Sequence, residues 1–360
     1  MSPSSWNTGV LSRLPQQPLA FHRPSNLESL DALLDDAIAH DHWVCPIGGG
    51  HHLRPQAVVQ KEIVVADLRS LTKLLDVQPQ SLVLQVEAGI SWGVFRALAA
   101  EHEMEVEHLG SPPDSATLGG LLARYWPWPP AYLQPGLRGA CVGLSARYGP
   151  DREYRYLQAP RKASGPDLRG LFIGAQGRHG LITSVSIALR RAPEARRAVV
   201  FELGSLVDAV SLARTLLRAD LRPTTMTALG STTGATLTLV FSGVAAIVDG
   251  WVLRAQQRGA ASVEASERAP IDAVFEAVGH YDTLLAAAAL VLEPGSALTF
   301  DGFTPFGARV CAAAHEPSLE ALGWTFVTEP VQTSLPSDSE ALQRLAAELT
   351  DAPWSPTVTQ

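Results

Sequence analysis

The segment PIGGGHH, residues 46–52, decides our expectation for the fold, because three consecutive glycines follow the apolar stretch 43–47 directly. Glycine lacks Cβ and adopts positive φ without strain, so this run predicts a loop whose backbone closely approaches another group. Consecutive peptide N–H groups in such a loop can hold a pyrophosphate. A glycine-rich turn without a ligand is the alternative. The segment is neither a P-loop nor a Rossmann fingerprint, because the glycine spacing differs and no Gly-Lys-Ser/Thr follows.

Two further segments contain glycine in a similar setting. In SPPDSATLGG, residues 111–120, the prolines restrict the loop and the paired glycines open a helix. In GAQGRHGLIT, residues 174–183, three glycines precede a strand-like stretch. Each segment predicts backbone close to a ligand, with a helix-capping loop and a tight turn as the respective alternatives.

Around these segments, the first hundred residues alternate strands and helices, which indicates an α/β or α+β domain. We expect Ser25 to cap the first helix, with Glu28 completing a capping box. The other elements expected here are strands over 43–47, 63–67 and 82–87 and a helix that Ser91 caps. Residues 108–160 are so rich in Gly and Pro that we expect either ordered loops that follow another group or plain surface loops there.

The composition changes after Pro193, and we expect a second domain to begin there. Residues 198–268 predict the order βαββαβ, which is the ferredoxin-like unit. The strands are expected over 199–203, 224–229, 236–241 and 261–264, and the helices over 206–217 and 245–257. The predicted organisation is an irregular leader over 1–20, domains over 21–193 and 198–334, and a tail over 335–360.

Composition excludes several classes of protein. With 46% hydrophobic and 18% charged residues, the chain is not a disordered protein. A net charge of −8 argues against non-specific nucleic-acid binding. Three cysteines make no disulfide framework, and neither a secretory signal nor a membrane-length apolar run occurs. We therefore expect a cytoplasmic protein without a transmembrane segment, with peripheral association through a partner as an open alternative.

Taken in order, seven blocks resemble the PCMH-type FAD-binding fold of the vanillyl-alcohol oxidase superfamily. The similarity is greatest to the branch of D-lactate dehydrogenase, the FAD-binding subunit of glycolate oxidase and alkyldihydroxyacetone-phosphate synthase. The blocks, which span residues 20–193, are PSNLESLDALL, WVCPIGGGHHL, IVVADLRSLTKLL, LVLQVEAGISWGVFRALAAEH, SPPDSATLGGLLA, GLRGACVGL and SGPDLRGLFIGAQGRHGLITSVSIALRRAP.

The resemblance implies FAD as the cofactor, with residues 46–52 around its pyrophosphate. The implied cofactor-binding residues are Pro46, Ile47, Gly48, Gly49, Gly50, His51, His52, Pro112, Asp114, Ser115, Thr117, Gly119, Gly120, Gly139, Gly143, Gln176, Gly177, Gly180 and Ile182. His51 occupies the place where some members carry a histidine joined covalently to the flavin, whereas the lactate and glycolate branch is generally non-covalent.

The resemblance also implies an α+β fold, in which a two-part PCMH-type FAD-binding domain precedes a small ferredoxin-like cap domain. The implied activity is an FAD-linked oxidoreductase acting on CH–OH groups, with a small 2-hydroxy acid such as glycolate or lactate as substrate. The alternative is an FAD-binding or degenerate subunit of an oxidoreductase complex, with a partner flavin or Fe–S subunit.

Several positions depart from the family pattern. Arg178 and His179 stand where small residues are usual, and either contact phosphate or signal a changed loop geometry. Trp126 and Trp128 are expected to anchor a surface loop, with stacking on a ring as the alternative. The clusters at 280–282 and 315–316 lack the spacing of a metal site, so we expect no metal. No residue is assigned as the catalytic base.

Overall fold

The computed structural model describes residues 14, 16–51, 61–106, 112–124, 137–156, 158, 167–231, 234–259, 262–264, 275–279, 298–304, 307–312 and 325–326. Several features predicted from the sequence lie outside these residues. They are most of the leader, the tail, His52, Trp126, Trp128 and the clusters at 280–282 and 315–316.

The described elements mix helices and strands, which confirms the α+β class. The helices are α1 (Leu27–Ala39), α2 (Trp92–Glu101), α3 (Leu118–Arg124), α4 (Leu137–Ala140), α5 (Leu206–Arg218) and α6 (Ala245–Gln256). The first strands are β1 (Ala20–His22), β2 (Trp43–Ile47), β3 (Ile63–Asp67), β4 (Leu74–Gln78), β5 (Val83–Glu87), β6 (Met104–Glu105), β7 (Cys141–Gly149), β8 (Arg152–Tyr156), β9 (Leu181–Ala188) and β10 (Arg190–Arg191). The remaining strands are β11 (Ala195–Leu203), β12 (Thr225–Ser231), β13 (Gly234–Gly243), β14 (Ser262–Glu264), β15 (Phe275–Gly279), β16 (Leu298–Thr304), β17 (Gly307–Ala312) and β18 (Thr325–Phe326).

The first part of the fold is a parallel sheet in the order β1-β3-β2, covered by α1. Helix α1 begins one residue later than the sequence suggests, so the predicted cap is wrong. Asn26 is the N-cap, and its Oδ1 accepts a hydrogen bond from the Ser29 N–H at 2.8 Å. Ser29 Oγ in turn accepts from the N–H of Asn26, which completes the capping box without Glu28.

An antiparallel sheet in the order β4-β5-β9-β7-β8 forms the second part of the fold. The expectation of loops over 108–160 is wrong for β7 and β8, which lie within that range. Strand β7 is buried along most of its length, including the polar Ser145, so it shows no alternation of apolar and polar residues. Its two glycines and Pro150 after it have the composition of a loop.

Arg147 joins the two parts of the fold. Its Nε lies 3.0 Å from Oδ1 of Asp31 on α1, and its side chain also faces Glu153 on β8 at 3.6 Å. Because the side chains of Asp31 and Arg147 are mostly buried, this pair has more influence on stability than a surface ion pair.

The second half of the chain builds a separate sheet. Its strand order is β14-β11-β13-β12-β16-β17-β15-β18, and all the described neighbouring strands in it pair antiparallel. The order β11-α5-β12-β13-α6-β14 along the chain is βαββαβ. Helices α5 and α6 pack on this sheet around Phe201 and Phe241.

A short ribbon of β6 and β10 leads into this sheet, and charges hold the junction. Glu105 on β6 pairs with Arg190 on β10 at 3.2 Å and also with Arg196 on β11. Arg190 donates a 3.0 Å hydrogen bond to Oγ of Ser242 on β13. Within the part of the chain that the structure describes, no helix is both long and apolar enough to cross a bilayer.

We predict that Asp31→Asn alters how stability depends on pH. Burial raises the pKa of the Asp31 carboxyl despite the opposing charge of Arg147, so the folded protein holds this proton more tightly than the unfolded chain. The Asp31 contribution to stability therefore falls as pH rises through its folded pKa. Urea unfolding across the acidic range should show that wild type loses stability relative to Asp31→Asn as pH rises, and a constant difference between the two proteins would contradict the prediction.

Candidate cofactor site

One cavity lies where the parallel sheet meets α3 and β9. Its volume is about 900 Å³, including open solvent at its mouth. Its wall comes from the end of β2 and the following loop, from Leu68 and Ala88, from α3, and from the segment 176–182. The lining residues are Cys45, Pro46, Ile47, Gly48, Gly49, Gly50, His51, Leu68, Ala88, Ala116, Thr117, Gly119, Gly120, Leu121, Ala123, Arg124, Gln176, Gly177, Gly180, Leu181 and Ile182.

The glycine loop after β2 packs its backbone directly on residues 115–117. A Cβ on Gly49 would collide with the carbonyl oxygen of Ser115, and a Cβ on Gly48 would collide with Oγ1 of Thr117. Only Gly50 of the three glycines has positive φ, at 75°. Close packing of two chain segments therefore explains the first two glycines, whereas only the third uses the positive φ that glycine allows.

Thr117 starts α3 beside this loop. Its Oγ1 accepts a hydrogen bond from the Gly120 N–H at 3.3 Å, which caps the helix. The N–H of Gly119 donates to the carbonyl of Ala88 at 2.8 Å, and a Cβ on Gly119 would lie 2.9 Å from the Cβ of Ala88. The prediction that Gly119 and Gly120 open a helix is confirmed, and the helix is held close to the end of β5.

The loop 174–180 closes the opposite end of α3. The N–H groups of Gly174 and Gln176 donate to the carbonyls of Leu122 and Ala123 at 3.0 and 2.8 Å. Gly177 has a φ of 81°, and a Cβ there would collide with Pro46 Cγ. Glycine is therefore required at 177 both by the left-handed backbone and by the close approach of Pro46.

The cavity brings together most of the residues that the sequence singled out. Those in its wall are Pro46, Ile47, Gly48, Gly49, Gly50, His51, Thr117, Gly119, Gly120, Gln176, Gly177, Gly180 and Ile182. Three segments far apart in the chain therefore share one wall, whereas their role toward a cofactor stays a prediction.

The other predicted site residues in the described part lie outside the wall: Pro112, Asp114, Ser115, Gly139 and Gly143. Asp114 faces away to pair with Arg96 at 2.5 Å. Ser115 acts at the rim, where its Oγ lies 2.7 Å from Nε2 of His51, a hydrogen bond that positions the imidazole. Gly143 lies on β7, where a Cβ would meet Oγ of Ser186 at 2.7 Å.

Sequence reasoning missed several wall residues: Cys45, Leu68, Ala88, Ala116, Leu121, Ala123, Arg124 and Leu181. One signal was available for Arg124. Thr117, Gly120, Leu121 and Arg124 follow the spacing i, i+3, i+4, i+7, so one helical face carries them all.

Two ionisable groups in or near the wall have shifted pKa values. Burial raises the pKa of the Cys45 thiol to about 12, so this thiol is neutral at physiological pH. Burial and then the charge of Arg178 lower the pKa of His179, whose buried Nδ1 has no hydrogen-bond partner. No cluster of ligands suited to a metal ion occurs among the described residues.

Comparison with known proteins identifies the first part of the chain. Residues 18–125 match the family described as FAD binding domain. A solved structure of alkyldihydroxyacetonephosphate synthase superposes with a TM-score of 0.70 over 92% of this chain and 73% of that chain, at 14% identity. Residues 18–125 are therefore similar to an FAD binding domain, and the chain shares the fold of the solved synthase. Both findings agree with the resemblance seen in the sequence and indicate FAD as the cofactor.

Curated relatives are similar over little more than half of the chain. Alkyldihydroxyacetonephosphate synthase of Caenorhabditis elegans is 23% identical over 56% of this chain and 34% of that protein. D-lactate dehydrogenase [cytochrome] 1 of Saccharomyces cerevisiae is 23% identical over 57% of this chain and 35% of that protein. D-2-hydroxyglutarate dehydrogenase of Xanthomonas citri pv. viticola is 26% identical over 58% of this chain and 44% of that protein. The matched region thus spans about a third of the length of the first two relatives.

The cavity suits FAD in its chemistry. Glycine backbone at 48–50 and 177 lets a ligand approach main-chain atoms that side chains would otherwise cover. Apolar residues such as Ile47, Leu121 and Ile182 supply surface for a flat ring.

We predict that Gly49→Ala separates the glycine loop from residues 115–117. The added methyl group meets a main-chain oxygen, which no side-chain rotation relieves, so we expect a loss of about 1–3 kcal/mol in stability and weaker FAD binding. Chemical denaturation and FAD titration measure the two effects.

The matched control is Gly250→Ala on α6, where a Cβ meets nothing within 4 Å. This change should stabilise the helix by roughly 0.5–1 kcal/mol and leave FAD affinity unchanged. Wild-type stability and affinity in Gly49→Ala would refute the packing role of that glycine.

We predict that His179 makes the loop 174–180 sensitive to acid. Because the folded protein lowers the His179 pKa, its neutral form is favoured, and the stability that this provides is lost as pH falls from the unfolded value through the folded one. Unfolding free energies of wild type and His179→Gln, measured on acidification below about pH 6.5, should converge, since Gln does not titrate. Parallel pH profiles for the two proteins would show that His179 does not carry this effect.

Proposed function

We propose that this protein is an FAD-dependent oxidoreductase that oxidises a small 2-hydroxy acid of the glycolate or lactate kind. The observation that carries the proposal is the single cavity assembled from 46–51, 117–124 and 176–182, largely within the region matched as an FAD binding domain. Bound FAD would supply the hydride-accepting isoalloxazine ring for such an oxidation.

Different residues of the wall would bind different parts of the cofactor. The loop at Gly48–Gly50 presents main chain to the phosphate groups, where peptide N–H groups attract negative charge. Ile47, Leu121 and Ile182 give an apolar wall that excludes water from a flat ring. The remaining predicted positions, Pro112, Asp114, Ser115, Gly139 and Gly143, would act through the segments they support.

His51 lies at the rim of the wall. Its Nε2 lies 2.7 Å from Oγ of Ser115, and this hydrogen bond orients the imidazole. We propose an orienting role for His51 toward the cofactor. No residue is assigned as the base that takes the substrate hydroxyl proton.

The names of two kinds of relative favour a 2-hydroxy acid as the substrate. D-lactate and D-2-hydroxyglutarate, in the names of the yeast and Xanthomonas relatives, share a hydroxyl group adjacent to a carboxylate. Alkyldihydroxyacetonephosphate synthase is matched as well, so the fold alone leaves the choice of substrate open. A carboxylate beside the reacting carbon is therefore the feature that a substrate panel must test.

We propose that the βαββαβ unit from β11 to β14 is a cap over the FAD-binding domain. The unit follows that domain after β10, and the pairs of Glu105 with Arg190 and Arg196 hold it near the ribbon β6–β10. The helices α5 and α6 give this unit its own apolar core. An FAD-binding subunit that works only with a partner flavin or Fe–S protein is the alternative function.

The proposal predicts that 2-hydroxy acids reduce the bound flavin. The full chain is loaded with FAD and mixed without oxygen with glycolate, D-lactate, L-lactate and D-2-hydroxyglutarate, and bleaching of the flavin spectrum is followed. We expect at least one acid to bleach it. The matched control ligand is 2-methoxypropionate, which keeps the carboxylate but lacks the hydroxyl group and should leave the flavin oxidised.

Three other results would each change the conclusion. Flavin that binds but stays oxidised with every acid contradicts the substrate class. Reduction only after a co-purifying protein is added supports the subunit alternative. A protein that takes up no FAD contradicts the proposed function as a whole.

A further inference from the structure

Arg124 is a wall residue that neither glycine motif contains. It is the last residue of α3, and it shares a helical face with Thr117, Gly120 and Leu121, which also line the cavity. This face turns the side chain of Arg124 to the same space as the glycine loop.

Arg124 differs from the other wall residues in its charge. Among the described residues that line the cavity, none is Asp, Glu or Lys, and Arg124 is the one side chain with a permanent charge. The Cys45 thiol, with a pKa raised to about 12, adds no negative charge. The wall is therefore a neutral and largely apolar surface with one fixed positive group.

Backbone hydrogen bonds already satisfy part of the C-terminal end of α3. Cations are common in the last turn of a helix because its final carbonyls are left without partners. In α3 the carbonyl of Leu122 accepts a hydrogen bond from the N–H of Gly174 at 3.0 Å, and the carbonyl of Ala123 accepts one from Gln176 at 2.8 Å. Two of the last carbonyls of α3 therefore have backbone partners already.

Resting on the proposed function, we propose that Arg124 binds the diphosphate of FAD and so supplies the charge that the glycine loop lacks. A diphosphate carries negative charge on several oxygens, and the planar guanidinium donates paired hydrogen bonds to such groups. In a largely apolar wall these bonds are stronger than in water. The diphosphate is chosen over a substrate carboxylate because it enters the cavity as part of the cofactor.

The test compares ligands that share or lack the diphosphate. ADP carries it without the flavin, and adenosine carries neither. Calorimetric titration of the full-length apoprotein with FAD, ADP and adenosine is performed for wild type, Arg124→Gln and Arg124→Lys. We expect Arg124→Gln to lose at least about tenfold in affinity for FAD and ADP, and adenosine binding to stay unchanged. Arg124→Lys should retain part of the affinity, because it keeps the charge but loses the fork geometry.

Arg152→Gln on β8 is the matched control, because it removes one positive charge from an exposed position outside the cavity wall. This variant should bind all three ligands as wild type does. Added NaCl should weaken ADP binding to wild type more than to Arg124→Gln.

The outcomes separate this inference from the proposed function. If wild-type protein binds neither FAD nor ADP, the proposed function itself is contradicted. If folded Arg124→Gln binds ADP as tightly as wild type does, the inference alone is overturned. The same holds if the variant loses as much affinity for adenosine as for ADP. If Arg124→Gln does not fold, an ADP affinity of wild type that is independent of NaCl overturns it as well.

Discussion

The cavity depends on the close approach of the main chain at Gly49 to the main chain at Ser115. A side chain at Gly49 would force the glycine loop away from residues 115–117, and the adjacent Gly48 has the same relation to Thr117. Thr117 also caps α3, so the contact that positions the loop fixes the start of the helix as well. The loop at Gly177 closes the other end of the wall against Pro46. Main-chain packing, rather than side-chain hydrogen bonding, gives the site its shape.

This dependence explains which features the sequence could predict. Positions that tolerate only glycine are visible in a sequence as motifs, so the segments around Gly49, Gly119 and Gly177 were found. The structure places all three segments in the wall of one cavity. Strand β7 was missed, because burial along most of its length and two glycines remove the alternating pattern. Strand β8, with the sequence REYRY, was missed because it has no apolar stretch and only Tyr156 is buried. Arg124 was missed for another reason, since a lone cation after an apolar stretch resembles an ordinary helix end. The N-cap was misplaced by one residue because Ser25, Asn26 and Ser29 are all good capping residues.

The two halves of the chain are built on different principles. The first half places two sheets against each other with the cavity between them, and Arg147 joins α1 to β7 and β8 across that boundary. The second half has its own core around Phe201 and Phe241 and meets the first through a short charged junction at Glu105 and Arg190. Prediction of its βαββαβ order was accurate because its helices and strands each cover one apolar face.

The shared wall of the cavity also has a consequence for the amount of protein in a cell. A ligand that binds only the folded chain stabilises it in proportion to the logarithm of the ligand concentration. Because the wall draws on both sheets of the first half, an occupying dinucleotide would protect both sheets from opening together. Proteases act mainly on opened chains, so flavin supply would set how long each newly made copy survives.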